Sequence, residues 1–169
     1  MRILKLALIT VVISLSCSLA HAQEVFTNES VPYSLELPSA SWRAVTVQDP
    51  GREQLEFING DRLDGFLQIR KEMVDSGMTA TDVAHRDRDQ KFRFFPGFVE
   101  GKEEKFSGRL NGVVVTYEYV KTGKPMLGRI YYFQADPRTV YALRFTGLRD
   151  KLMRIRNQTD LIARSFKLK

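Results

Sequence analysis

With 169 residues, 43% of them hydrophobic, the chain is long enough to bury one core without staples. Its 26 Lys/Arg against 20 Asp/Glu leave a net charge of +6, too mild an excess to mark a nucleic-acid binder. One cysteine and two histidines exclude a disulfide framework and leave few positions for thiolate or imidazole chemistry.

The chain opens on Arg2 and Lys5, an apolar run from Leu6 to Leu15, and the small-x-small exit Ala20-His21-Ala22. A positive start, an apolar stretch too short to span a bilayer and that exit describe a cleaved secretory signal peptide over residues 1–22, leaving one domain over 23–169. The expected location is exported, periplasmic or secreted, with no transmembrane segment after cleavage. Cys17 falls inside the leader. Ser14 stands where a lipid-modification signal needs a Leu-like residue, which argues against anchoring through Cys17.

Four strand-like runs follow, over 31–37, 42–47, 54–58 and 65–72, punctuated by Pro38-Ser39, Asp49-Pro50-Gly51 and Asn59-Gly60-Asp61. Tyr33, Leu35 and Leu37 alternate onto one face, and Trp42 reads as a core anchor. Gly77 and Thr79 then start a helix, with Asp82 placed three residues on as in a capping box, and Pro96-Gly97 stops it.

A second strand block covers 98–106, 113–120, 127–135 and 139–146, with short breaks at Asn111-Gly112, Thr122-Gly123-Lys124 and Asp136-Pro137. Such loops permit only antiparallel neighbours, so the block is a meander. Val113, Val115, Tyr117 and Tyr119 should share one face, as should Tyr141, Leu143 and Phe145. One last helix is expected to carry Leu148, Leu152, Ile155, Thr159, Ile162 and Phe166 as a stripe that docks on a sheet, with Leu161 left outside.

Charge is unevenly placed. Residues 23–137 hold 15 Lys/Arg against 18 Asp/Glu, whereas 138–169 hold nine against two. A basic end on a slightly acidic body suggests docking to an acidic protein or an anionic surface, with Arg149, Arg154, Arg156 and Arg164 supplying the charge. No nucleic-acid partner is expected, and the oligomeric state is open.

Catalytic motifs are absent: there is no Gly-x-Ser-x-Gly, phosphate loop, dinucleotide fingerprint or His-Glu-x-x-His. His85, alone after cleavage, sits in a charged helix rather than a recognisable cleft, and a non-enzymatic role is expected. No cofactor is implied, with one rival. Asp82, His85 and Asp89 project from one side of the helix and would suit a divalent metal, although Asp82–Arg86 and Asp89–Arg93 also fit as surface ion pairs. Glu100, Glu103, Glu104 and Glu118 fall on strands, where exposed faces ordinarily carry such residues. The alternative to docking is a small-molecule or lipid carrier whose helix–sheet pocket is lined by Phe92, Phe95 and Tyr132.

Tyr33-Ser-Leu-Glu-Leu-Pro38 with Trp42, the pair Gly128-Arg-Ile-Tyr-Tyr-Phe133 and Val140-Tyr-Ala-Leu-Arg-Phe145, and the closing Ile162-Ala-Arg-Ser-Phe166 resemble the PsbP/Mog-like superfamily over nearly the whole mature chain. The resemblance implies an α+β fold, an antiparallel β-sheet meander sandwiched by helices. It also implies use as an accessory docking module without a shared catalytic centre, as in PsbP-like and DcrB-like exported bacterial proteins.

Overall fold

Short turns force successive strands antiparallel, and every strand pair here is antiparallel. The computed structural model describes residues 24–49 and 52–169. Residues 1–23, which include the expected leader and Cys17, and Pro50-Gly51 of the first block lie outside these residues.

The elements in chain order are strands β1 (Glu24–Thr27), β2 (Tyr33–Leu37), β3 (Trp42–Asp49), β4 (Arg52–Asn59) and β5 (Gly65–Met73), then helix α1 (Ala80–Gln90). A 3-10 turn at Phe92–Phe94 leads to β6 (Val99–Ser107), β7 (Asn111–Lys121), β8 (Lys124–Asp136) and β9 (Thr139–Leu148). Helices α2 (Arg149–Arg154) and α3 (Arg156–Ser165) and a short β10 (Lys167–Leu168) end the chain. The second block and three runs of the first (β3, β4 and β5) join one seven-stranded sheet of order β3-β4-β5-β9-β8-β7-β6, whereas the first run, β2, lies in a small sheet of order β1-β2-β10. From β5 the chain crosses over α1 to the far edge, and the meander returns until β9 pairs with β5 from Phe66↔Thr146 to Met73↔Thr139.

Both faces of the large sheet are covered. Ala80, Val83 and Ala84 of α1 pack with Val113, Tyr117, Tyr119, Ile130, Tyr132, Val140 and Ala142 on one face. On the other, Leu152 of α2, Ile162 and Ala163 of α3, and Tyr33, Leu35 and Leu37 of β2 pack with Tyr131, Phe133, Tyr141, Leu143 and Phe145. Strand β8 is therefore buried without interruption from Arg129 to Phe133, even and odd positions feeding opposite layers. Trp42 is fully buried, edge-on to Phe145 at 6.0 Å, and its Nε1 donates to Gln158 Oε1 at 2.8 Å.

Local signals explain most boundaries. Thr79 and Asp82 form a complete capping box. Thr122 and Gly123 both take positive φ, 49° and 74°, the geometry of a two-residue hairpin turn. Three expectations are corrected. Asn111-Gly112 is not a turn but the start of β7. The chain reverses one step earlier, and a Cβ on Gly112 would come within 1.8 Å of the Tyr132 carbonyl oxygen. Helix α1 ends at Gln90 rather than running on to Pro96-Gly97. The last helix breaks at Ile155 (φ −99°, ψ 15°), whose Cδ1 seats over Gly65; Leu148 belongs to β9 and packs on the α1 face rather than with the stripe of α2 and α3.

Candidate docking surface and helix–sheet pocket

The basic end of the chain folds against acidic strands. Arg149 on α2 reaches Glu118 of β7 and Asp150, both at 3.6 Å, and Arg156 on α3 stands 4.0 Å from Glu104 of β6. Lys151 pairs with Asp64 at 3.1 Å. Arg164 donates to the Ser107 carbonyl at 2.7 Å with its guanidinium over the Phe106 ring. Neither Arg154 nor Arg164 forms an ion pair among the described residues, and Arg154 alone of the four expected docking arginines also lacks a side-chain hydrogen bond or ring contact there. The charge asymmetry of the sequence is thus partly neutralised by tertiary contacts. What remains exposed is Arg154 and Met153 (60% exposed) on α2 and Leu161 (45%) on α3. A groove of about 360 Å³ lies between the helices and β6–β8, with Met153, Arg156, Glu104 and Glu118 on its walls.

Under the same helices lies a polar network that the sequence reading missed. Arg129, only 7% exposed, donates to Asp160 of α3 at 2.7 Å and to the Tyr131 hydroxyl at 2.6 Å. Tyr131 in turn donates to Asp160, and Thr159 Oγ1 is 3.0 Å away. A lone arginine inside the apolar run Leu127–Phe133 was the available signal, since a buried charge requires a partner.

Helix α1 carries the residues of the metal hypothesis, and the structure gives each a different partner. Asp82 caps its own helix through Thr79, and the backbone and side-chain hydrogen bonds from Thr79 hold its carboxyl below the usual range. His85 Nε2 stands 2.9 Å from Glu103 Oε2 on β6. Asp89 pairs with Arg88 at 2.9 Å, and that hydrogen bond lowers its carboxyl. Among the described residues no group of three or more His, Asp or Glu side chains is placed to hold a metal ion. The expected surface pairs also differ: Arg86 reaches Glu72 on β5 rather than Asp82, and Arg93 lies over the Phe94 ring.

Asp87 is the helix's inward carboxylate, 2% exposed. Burial works to raise it, but hydrogen bonds and charge from Lys91 (2.6 Å) and Arg70 (2.5 Å) outweigh this and hold the carboxyl below its ordinary value. The Tyr132 hydroxyl donates to it at 3.0 Å. Its place was legible, since Ala80, Val83, Ala84 and Asp87 form one helical stripe. Of the three expected pocket residues, Phe92 and Tyr132 line a cavity of about 130 Å³ here, together with Arg70, Asp87, Lys91 and Arg144. Phe95 stands outside that lining, packed on Tyr119 with ring centroids 5.1 Å apart. The cavity has room for a benzene-sized group, not a lipid chain.

No family model matches the chain, and no curated protein matches it. Solved structures do. PsbP (CyanoP) from Synechocystis sp. PCC 6803 is 16% identical with a TM-score of 0.58, covering 88% of this chain and 94% of its own. LpqN of Mycobacterium tuberculosis, described as involved in cell envelope biogenesis, is 14% identical with a TM-score of 0.58, covering 81% and 83%. A Pseudomonas aeruginosa protein of unknown function, PA94, is 15% identical with a TM-score of 0.56, covering 87% and 97%. At these identities the likeness is one of fold, and the expected PsbP-like α+β architecture is the one observed.

Proposed function

We propose that the protein is a non-enzymatic accessory module, exported through its cleaved leader to the periplasm or beyond, that docks another protein on the α2–α3 face. In this reading the domain is a helix–sheet–helix sandwich of PsbP/Mog-like type over residues 23–169, and the sheet is a rigid platform for the face that contains Arg154. The carrying observation is that α2 and α3 expose Arg154, a cation unpaired among the described residues, together with the apolar side chains Met153 and Leu161, Met153 also lining an open groove. Apolar anchors ringed by charge suit a protein partner with an acidic patch better than a bare anionic membrane. The involvement of LpqN, a protein with the same fold, in cell envelope biogenesis supports the direction without naming the partner.

A photo-crosslinkable residue at Met153 tests this in the host's intact cells. A discrete adduct is expected at Met153, lost with Arg154→Glu plus Leu161→Ser, and none at Met73, which is slightly more exposed at 67% on β5. Equal labelling at both positions would remove the docking surface.

A further inference from the structure

The cavity under α1 has a chemistry of its own, independent of the docking face. Two cross-strand rows build its floor: Gln68↔Arg144↔Ile130 and Arg70↔Ala142↔Tyr132, on β5, β9 and β8. Ala142 sits between two long side chains, and its single methyl leaves the space that α1 roofs with Asp87 and Lys91. Arg144 is fixed at one end. Its Nε donates to the Tyr117 hydroxyl at 3.1 Å, and its guanidinium carbon lies 5.4 Å and 5.7 Å from the ring centres of Phe92 and Phe95. Its terminal nitrogens have no acceptor among the described residues.

The charges facing this region do not cancel. Arg62, Arg70, Arg86, Lys91 and Arg144 oppose only Glu56, Glu72 and Asp87. Glu56 is neutralised by Arg62 at 2.6 Å, though outside hydrogen-bond alignment, and accepts from Gln68 at 3.2 Å. Asp87 is saturated by Arg70, Lys91 and Tyr132. Two positive charges are left over, and the Arg144 guanidinium, its terminal nitrogens without an acceptor among the described residues, lines a cavity whose apolar wall is Phe92, Ile130 and Ala142 and whose remaining lining is Gln68, Arg70, Asp87, Lys91 and Tyr132. A planar fork without its carboxylate is the geometry that takes one bidentately.

We propose that this cavity binds a short-chain organic carboxylate, its head group on the Arg144 guanidinium and its tail against Phe92, Ile130 and Ala142. The volume sets the size. A cavity of about 150 Å³ accepts benzene, so about 130 Å³ takes roughly six non-hydrogen atoms, the size of butyrate.

NMR titration of the purified protein with sodium butyrate, butyramide and sodium phosphate at matched ionic strength tests the proposal. Saturable shifts centred on Phe92, Ala142 and Arg144 are expected with butyrate. Butyramide lacks the charge and phosphate lacks the tail, so each should bind at least about tenfold more weakly. Arg144→Gln should lower butyrate affinity at least about tenfold, and Ala142→Leu should block it by filling the space, with Ala142→Val as the milder variant should leucine unfold the domain. No saturation with butyrate at concentrations on the order of 10 mM, equal binding of phosphate, or unchanged affinity in the Arg144 and Ala142 variants would each overturn the proposal.

Discussion

Removing the Asp160 carboxylate should expose how much of the fold rests on one buried ion pair. Arg129 is 7% exposed and Asp160 27%, and the pair joins α3 to the centre of β8 at 2.7 Å, with the Tyr131 hydroxyl in the same network. In Asp160→Ala the guanidinium and the phenol lose an acceptor while staying under the helix. Breaking a fully buried pair costs about 3–5 kcal/mol. Because Asp160 is about a quarter exposed, water can replace part of what is lost, and a cost of about 2–3 kcal/mol is expected. With a urea m-value of about 1–3 kcal/mol/M, the midpoint of unfolding should fall by about 0.7–3 M. Arg129→Met with Asp160→Leu should recover most of that stability, because an apolar pair no longer pays for desolvation. A loss below about 0.5 kcal/mol in Asp160→Ala, or a double variant no more stable than the single one, would refute the assignment of Arg129–Asp160 as a structural lock.

Two further outcomes follow from the packing and the charges. Gly112→Ala should unfold the domain or cost several kcal/mol, since its Cβ meets the Tyr132 carbonyl at 1.8 Å, whereas Gly77→Ala meets nothing within 4 Å and should cost about 1 kcal/mol for its φ of +93°; thermal denaturation of both distinguishes steric from conformational cost. The Asp87 carboxyl is held below its unfolded value of about 3.9, so its stabilisation is present above that pH and disappears as pH falls through the lower folded value. Asp87→Asn should therefore lower stability at neutral pH and flatten its fall below about pH 4, measured by urea titration at several pH values.

Much of the architecture was written in the chain. Alternation at Tyr33, Leu35 and Leu37, the turn Thr122-Gly123 and the Thr79–Asp82 box are local devices, each needing only neighbouring residues to act, and each appears where expected. Asn111-Gly112 misled because the same dipeptide favours a hairpin locally, while here its glycine is required by close approach of β8, a strand some twenty residues away in sequence. The stripe from Leu148 to Phe166 misled similarly: periodicity is continuous through Ile155, but fitting Ile155 over Gly65 and sending Leu148 to the opposite layer breaks the helix.

By itself the sequence determined the strands of the meander, the positions of the helices and the buried faces, because these follow from the spacing of apolar side chains and from turn residues. Tertiary structure alone decided that β3–β5 fuse with the meander through β5 and β9 into one sheet while β2 leaves for a second, small sheet, since pairing between distant strands leaves no local mark. It also decided which charges remain available. Arg149, Arg156 and Arg164 look alike in sequence to Arg154, yet partners on β6 and β7 engage them and leave Arg154 alone among the described residues. Arg144, one basic residue among nine at that end of the chain, becomes the unfilled fork of a cavity only because Ala142, Tyr117 and helix α1 meet around it. Charge acts through distance, and distance between strands is set by the fold.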